Sequence, residues 1–410
     1  MICCDYCEQR LSIGKCAYDS KEKYIEVLKK WIIKSKLKMG SFSSVPKILN
    51  ADILDHDVNL PKNISRTELL QHCQRQLKTY PMVKRTFRKS KSSSELECGM
   101  KVRKLSRVSR ACSDYISGPN TIRVLQWNIL SQALGQMNDN FSKCPDEALE
   151  WNHRRFLIVE ELVEYSPDVI CLQEVDHFNF ISHILETQGY TGLFFPKPDS
   201  PCIYINGNNG PDGCAIFYRK DKFDLVNVET KILEIWKVQS NQVAILTILK
   251  LKETGQEICV TTTHLKAKNG ALLSTLRNEQ GKDLLHFVQS HSRNLPLILA
   301  GDFNAEPIEP IYNTILENPL GLGSAYADCD TNVNNSKSAD REPSYTTWKI
   351  RGEGEVCHTI DYVFYSKNKL DLEAVLELPT GEEIGEDRVP SLAYPSDHFS
   401  LVCDFKIGNS

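Results

Sequence analysis

Six apolar runs of the sequence stop at an amide, an acid or an imidazole. Ile122-Arg-Val-Leu-Gln-Trp ends at Asn128, and Val169-Ile-Cys-Leu-Gln ends at Glu174. Ile258-Cys-Val-Thr-Thr-Thr ends at His264, and Leu297-Ile-Leu-Ala-Gly ends at Asp302-Phe-Asn304. Thr359-Ile runs into Asp361, and Ser396-Asp397-His398 precedes the run Leu401–Phe405. Each residue alone has an ordinary explanation: a turn amide, a helix cap, a core histidine or a solvated acid. Together they argue for one shared site, because loops at strand ends build the sites of α/β folds.

The chemistry of such a set is coherent. A carboxylate or two with an amide oxygen suits Mg²⁺, a hard ion that keeps waters and also binds substrate phosphate. A further acid and amide can activate and aim a water, and two histidines can steady the oxygens of a pentavalent phosphorus. Zinc fits less well, because no histidine pair has ligand spacing on a helix. Neither a Walker-type glycine loop nor a Gly-x-Ser-x-Gly elbow is present, which argues against those two designs.

Stepping from these residues to what must hold them, β-rich runs are expected at Thr121–Trp127, Asp168–Leu172, Gly213–Tyr218, Phe223–Glu229, Val243–Leu251, Glu257–Thr263, Pro296–Ala300, Thr359–Tyr365 and Leu401–Phe405. Helical patterns fall between them, at about 151–165, 178–188, 275–291 and 308–317. In the first, Phe156, Val159, Leu162 and Val163 make an apolar stripe against a polar side of Arg154, Arg155, Glu160 and Glu164. This mixture implies one α/β domain over 119–410, its sheets covered by helices, with a polar loop at Asn332–Ser344.

Residues 1–118 differ. They hold 24 Lys and Arg against 12 Asp and Glu, whereas the remainder of the 410 residues holds 25 against 41. A basic segment and an acidic one are expected to do different jobs. Residues 1–118 read as a mostly disordered regulatory or targeting extension, with one basic amphipathic helix near Lys21–Lys38 and a Lys/Arg/Ser-rich disordered linker from Lys84 to Arg110. A partner-packing or solvated role is favoured for that helix over a membrane-surface one. Cys4-x-x-Cys7, near Cys3 and Cys16, has no second pair to complete a zinc site, and Cys3 or Cys4 is a weak lipidation candidate. No run is long enough for a membrane span and no secretory signal is evident. Buried, reduced thiols such as Cys171, Cys259 and Cys403 point to an intracellular protein. Cytoplasm is the expected compartment, with mitochondrial association the alternative.

The runs LQWNIL, CLQEVD, NNGPDGCAIFY, TTTHL, GDFNAEP, SYTTW, HTIDYVFYS and YPSDHFSLVCDF resemble the endonuclease/exonuclease/phosphatase superfamily, and within it the deadenylase-related branch. The resemblance covers about residues 119–406. It implies a four-layered α/β sandwich of two packed mixed sheets flanked by helices. It also implies one or two Mg²⁺ ions held by Glu174, with Asn128 nearby and Asp397 as a further carboxylate. Asp302 would activate the attacking water, Asn304 would orient it, and His264 would steady the phosphoryl oxygens. His398 would stabilise the transition state with Asp361 holding its ring.

The segments Phe194-Phe-Pro-Lys-Pro and His264-Leu-Lys-Ala-Lys268 resemble the members of the branch that remove the 2′-phosphate of NADP⁺ and NADPH, giving NAD⁺ and NADH. Lys197, Lys266, Lys268 and Asn209 are the matching substrate-binding candidates. Lys268 stands where the resemblance leads one to expect Arg, so a point charge replaces a bidentate fork. The alternative activity is 3′-exonuclease action on poly(A) RNA, which the acidic balance of the catalytic region disfavours. A scaffold acting through the extension is the non-enzymatic alternative. A monomeric catalytic domain is expected.

Overall fold

The computed structural model describes residues 61, 64–77, 85–90, 118–137, 139–329 and 337–408. The expected helix at Lys21–Lys38 and the Cys4/Cys7 cluster lie outside the described residues. The strands in chain order are β1 (Phe87–Lys89), β2 (Thr121–Asn128), β3 (Val169–Val175), β4 (Tyr190–Pro196), β5 (Gly213–Arg219), β6 (Phe223–Ile235), β7 (Val238–Leu251), β8 (Glu257–His264), β9 (Leu297–Asp302), β10 (Leu322–Ser324), β11 (Thr347–Arg351), β12 (Gly354–His358), β13 (Asp361–Ser366), β14 (Leu370–Leu376) and β15 (Leu401–Ile407). The principal helices are α1 (Arg66–Leu77), α2 (Gln132–Met137), α3 (Trp151–Glu164), α4 (Phe178–Thr187), α5 (Ala271–His291) and α6 (Pro310–Leu316).

Strand β2 is buried along its whole length, as a strand covered on both faces must be. Its side chains alternate between two cores. Ile122 and Val124 face one, while Leu125 and Trp127 face the other. One sheet runs β1-β14-β15-β2-β3-β5-β4 and a second runs β10-β13-β9-β8-β7-β6. Both are mixed, because β2–β3 and β8–β9 are parallel pairs within otherwise antiparallel neighbours. Between the sheets lies a core of Ile122, Val124, Cys171, Ile216, Val243, Ile245, Val260, Ile298 and Val363. Helices α3 and α4 cover the outer face of the first sheet through Leu157, Ile158, Ile181 and Leu185. Helices α5 and α6 cover the second through Leu284, Val288, Ile311 and Ile315. This is the four-layered sandwich the sequence led to. Apart from Trp236–Val238, the described residues belong to one compact unit.

Among the described residues, two elements stand ahead of residue 119. Helix α1 buries Leu69, Leu70, Cys73 and Leu77 in the same core as α3, and Arg66 Nε donates to Val163 O at 2.8 Å. Strand β1 pairs antiparallel with β14 at the edge of the first sheet. The disordered linker expected from Lys84 to Arg110 is therefore corrected at Arg85–Ser90. The reason is Arg85, which is buried against Glu161 (3.2 Å) and donates to Ser400 O (2.7 Å) and Glu377 O (2.8 Å). A composition rich in Lys, Arg and Ser conceals one such anchored arginine.

The polar side expected of helix α3 also needs correction. Arg154 is fully buried and Glu160 and Glu161 are nearly so. Among the described residues no helix is long and apolar enough to cross a membrane. The cysteines are free there, and Cys171, Cys259 and Cys403 are buried.

Candidate active site

Register brings the catalytic candidates side by side. Asp302, the last residue of β9, pairs with His264 at the end of β8 and with Asp361 at the start of β13. On the first sheet, Asn128 ends β2 beside Gln173 of β3, one residue before Glu174. A register shift between Leu172 and Val175 marks a bulge at this point. Glu174 takes a φ of 56° there, so its side chain leaves the pleat that strand alternation would impose. Leu130 and Asn304 also have positive φ, at 61° and 50°. Non-glycine residues held in this conformation gather at functional sites.

The two sheets meet at Asn128. Its Nδ2 donates to Glu174 Oε1 at 3.1 Å and to Asp302 Oδ2 at 2.9 Å. Its Oδ1 accepts from the Leu130 amide at 3.0 Å, which fixes that orientation. Glu174 Oε2 also accepts from the Ser131 amide at 3.1 Å. Buried Arg154 braces the neighbouring loops. It donates to Ile129 O (2.6 Å) and Leu130 O just beyond Asn128, and to Pro395 O (2.7 Å) just before Asp397.

His398 Nδ1 lies 2.8 Å from Asp361 Oδ2, which also accepts from the Thr346 hydroxyl at 2.7 Å. The ring's Nε2 is 3.9 Å from Asp302 Oδ2. Burial opposes a charged imidazole, but Asp361, Asp397 and Asp302 outweigh it and push the His398 pKa up to about 9. Burial and the neighbouring Asp361 carboxylate push Asp302 up to about 7, against the pull of His398 and Asn128. Burial and the cations Lys197, His398 and Lys266 hold His264 well below the ordinary histidine value, so it is neutral. Its Nε2 accepts from Asn304 Nδ2 at 2.9 Å, and that amide also donates to Leu265 O at 3.1 Å. Asp302 Oδ1 accepts from the Asn304 backbone at 2.8 Å. The arrangement joins an acid poised near neutrality, a protonated imidazole and an aimed amide, the parts that hydrolysis of a phosphate ester needs.

A divalent cation fits this donor set. A buried carboxylate, Asp302, and a half-buried one, Glu174, converge on a single Asn128 NH₂, and a hard cation between them would neutralise them. Glu174 and Asp302 are the oxygens to hold it, and Asn128 would join them only if its amide turned over. Among the described residues Asp302, Asp361 and His398 also bring ligand atoms within 4.8 Å of one another. There, however, Nδ1 of His398 is already engaged by Asp361.

Asp397 is a poor second holder. Lys349 Nζ donates to its Oδ2, and Arg351 lies 3.6 Å from the same oxygen. Burial is outweighed by Lys349, His398 and Arg351, which hold Asp397 below the usual carboxylate range. A cation beside these groups would be repelled, so the donor set suits one ion rather than two.

The substrate candidates separate. Lys197 is buried with its ammonium 2.6 Å from Asp212, which leaves it a paired charge. Asn209 donates to Asp176 O at 2.9 Å on the loop beyond Glu174. Lys266 and Lys268 are exposed on the loop that follows His264. Sequence reasoning missed Thr346, Lys349 and Arg154. A signal for one of them exists, since Lys349 alternates with Thr347 and Arg351 along β11 and so shares their face.

A family model for the endonuclease/exonuclease/phosphatase family matches residues 125–398 of this chain. The chain belongs to that family. It is 54% identical over 389 residues to Nocturnin of Drosophila melanogaster, covering 90% of this chain and 60% of that protein. It is 50% identical to Nocturnin of Xenopus laevis, covering 70% and 73% of the two chains. The chain thus spans under two thirds of the Drosophila relative's length. Among solved structures, the human Nocturnin catalytic domain with bound sulfate anion is similar at a TM-score of 0.58. It is 42% identical, over 71% of this chain and 95% of that one. The sandwich is the fold of this family.

Proposed function

We propose that this chain is a Mg²⁺-dependent phosphatase that removes the 2′-phosphate of NADP⁺ and NADPH. The observation that carries the hydrolytic part is the row His264, Asp302 and Asp361 on three adjacent strands, with His398 turned onto it by Asp361. The substrate rests on the resemblance to Nocturnin, whose human catalytic domain was solved with a sulfate, an anion shaped like phosphate.

Asp302 takes the proton of a water that Asn304 and neutral His264 hold in place. The water oxygen bonds to phosphorus as the bond to the ribose 2′-oxygen breaks, and the departing 2′-oxygen takes a proton from solvent while Asp302 gives its own back to solvent. Protonated His398 donates to the phosphoryl oxygens, and Asp361 keeps its ring fixed and charged. A bound divalent ion at Glu174 and Asp302 would add Lewis-acid stabilisation of the developing charge. The products are inorganic phosphate and NAD⁺ or NADH.

Purified protein is incubated with NADPH and Mg²⁺ and phosphate release is followed, with oligo(A) as the competing substrate and Glu174→Ala and Asp302→Ala as controls. Release from NADPH that both variants abolish supports the proposal. Catalytic shortening of oligo(A) without release from NADPH overturns it in favour of the exonuclease.

A further inference from the structure

The loop from Leu265 to Gly270 follows His264 and carries Lys266 and Lys268. Lys268 adopts a φ of 81°, a conformation that a side-chain-bearing residue takes only when its surroundings impose it. The imposing group is Arg277 of helix α5, which is 1% exposed. Its NH1 donates to Lys266 O at 3.0 Å and to Lys268 O at 2.7 Å. The rest of the guanidinium meets Glu309 through Nε to Oε2 at 3.1 Å and NH2 to both carboxylate oxygens at 2.8 Å. One turn along the helix, Gln280 Oε1 accepts from the Lys266 amide at 3.1 Å. Three hydrogen bonds from one buried helix face therefore set the backbone that presents both lysines.

We infer that Arg277, locked by Glu309, is a positioning residue that holds Lys266 and Lys268 in the geometry that receives the phosphates of the substrate. This rests on the phosphatase reading above. Arg277 touches neither the catalytic acids nor the reacting atoms; it acts through the loop. Its planar fork is what makes the arrangement work, since one edge binds a carboxylate while the other spans two carbonyls. Lysine in its place keeps the charge and one contact but cannot span all three groups. Glu309 sits five residues after Asn304, so the same pair also ties the loop beyond Asp302 to the lysine loop.

Two measurements test this on the full chain. Steady-state kinetics with NADPH compare wild type, Arg277→Lys, Glu309→Gln and Lys266→Ala. Arg277→Lys is expected to raise KM about tenfold with kcat within about twofold. Combined with Lys266→Ala it is expected to add less than its own effect, because the Lys266 part is already gone and only the Lys268 part remains. Limited trypsin digestion then reads the loop directly. Cleavage after Lys266 or Lys268 is expected to be faster in Arg277→Lys and Glu309→Gln, with an unchanged near-ultraviolet circular dichroism spectrum. Cleavage as slow as in wild type in both folded variants overturns the inference. So does a loss in kcat alone, or full additivity with Lys266→Ala. If wild type releases no phosphate from NADPH, the substrate reading falls and the digestion arm alone decides the role of Arg277. Should Arg277→Lys fail to fold, Glu309→Gln carries both measurements.

Discussion

Asp361 lies opposite Asp302 across the β9–β13 pair and also holds Nδ1 of His398 at 2.8 Å. One carboxylate thus both raises the proton affinity of its neighbour acid and keeps the imidazole charged. Asp361→Asn removes both effects and leaves the packing in place. The expected result is a fall in kcat of about 10²–10⁴-fold for phosphate release, with a thermal midpoint below wild type near neutral pH, where charged His398 loses its carboxylate.

The same pair sets the pH profile. On the proposed mechanism hydrolysis needs Asp302 ionised and His398 protonated, and without a bound cation their pKa values lie at about 7 and about 9. A plot of kcat/KM against pH is expected to be bell-shaped, with an acidic limb that moves below about 7 when Mg²⁺ sits on Asp302 and an alkaline limb near 9, both belonging to the interacting groups as a set. The stability sign is independent of catalysis. The folded pKa of His398 is raised above its ordinary value of 6.5, so its contribution is complete below 6.5 and is lost as pH rises through about 9. Urea titrations across that window should show a falling unfolding free energy, with a shallower slope in His398→Gln.

Metal binding has a readout that does not involve turnover. A ligand that binds the native state at a hundred times its Kd stabilises it by about 2.7 kcal/mol. Mg²⁺ is therefore expected to raise the thermal midpoint of wild type and of Asp361→Asn, but not of Glu174→Ala. An equal rise in Glu174→Ala would move the ion away from Glu174.

Arg154 joins the Asn128 loop to the Asp397 loop through backbone carbonyls. Replacing it with Lys leaves buried carbonyls without a donor. Urea unfolding is expected to show a loss of about 2–4 kcal/mol, together with weaker activity. Arg85→Ala breaks the buried pair with Glu161 and should cost about 3–5 kcal/mol, even though it precedes the region the family model matches.

The strand ends were legible because a buried strand is a continuous apolar run, and a polar residue at its end has few other reasons to be there. Nine expected β runs found their strands within a few residues, except that β6 and β7 extend further into a shared hairpin. What stayed hidden has physical causes. Strand β4 mixes glycine, threonine and aromatics and is half-exposed, so its pattern resembles a loop. Strand β11 is two-sided, and its cations look like surface charge until Asp397 is placed beside them. Arg154, Arg277 and Arg85 are buried yet read as solvated in sequence, because periodicity marks which side chains are apolar and not which arginines meet carbonyls. The bulge that turns Glu174 into the site leaves no signal in composition at all.

Strand β15 lies between β14 and β2, inside its sheet rather than at an edge. Its partner β2 is made far earlier on the ribosome and must wait with an open edge until Leu401–Ile407 emerges. A nascent chain stalled before that point would expose a long apolar strand to other chains, an invitation to aggregate that chaperones would have to cover. Since His398 arrives just ahead of the same strand, catalysis and sheet closure would switch on together, leaving unfinished chains inert.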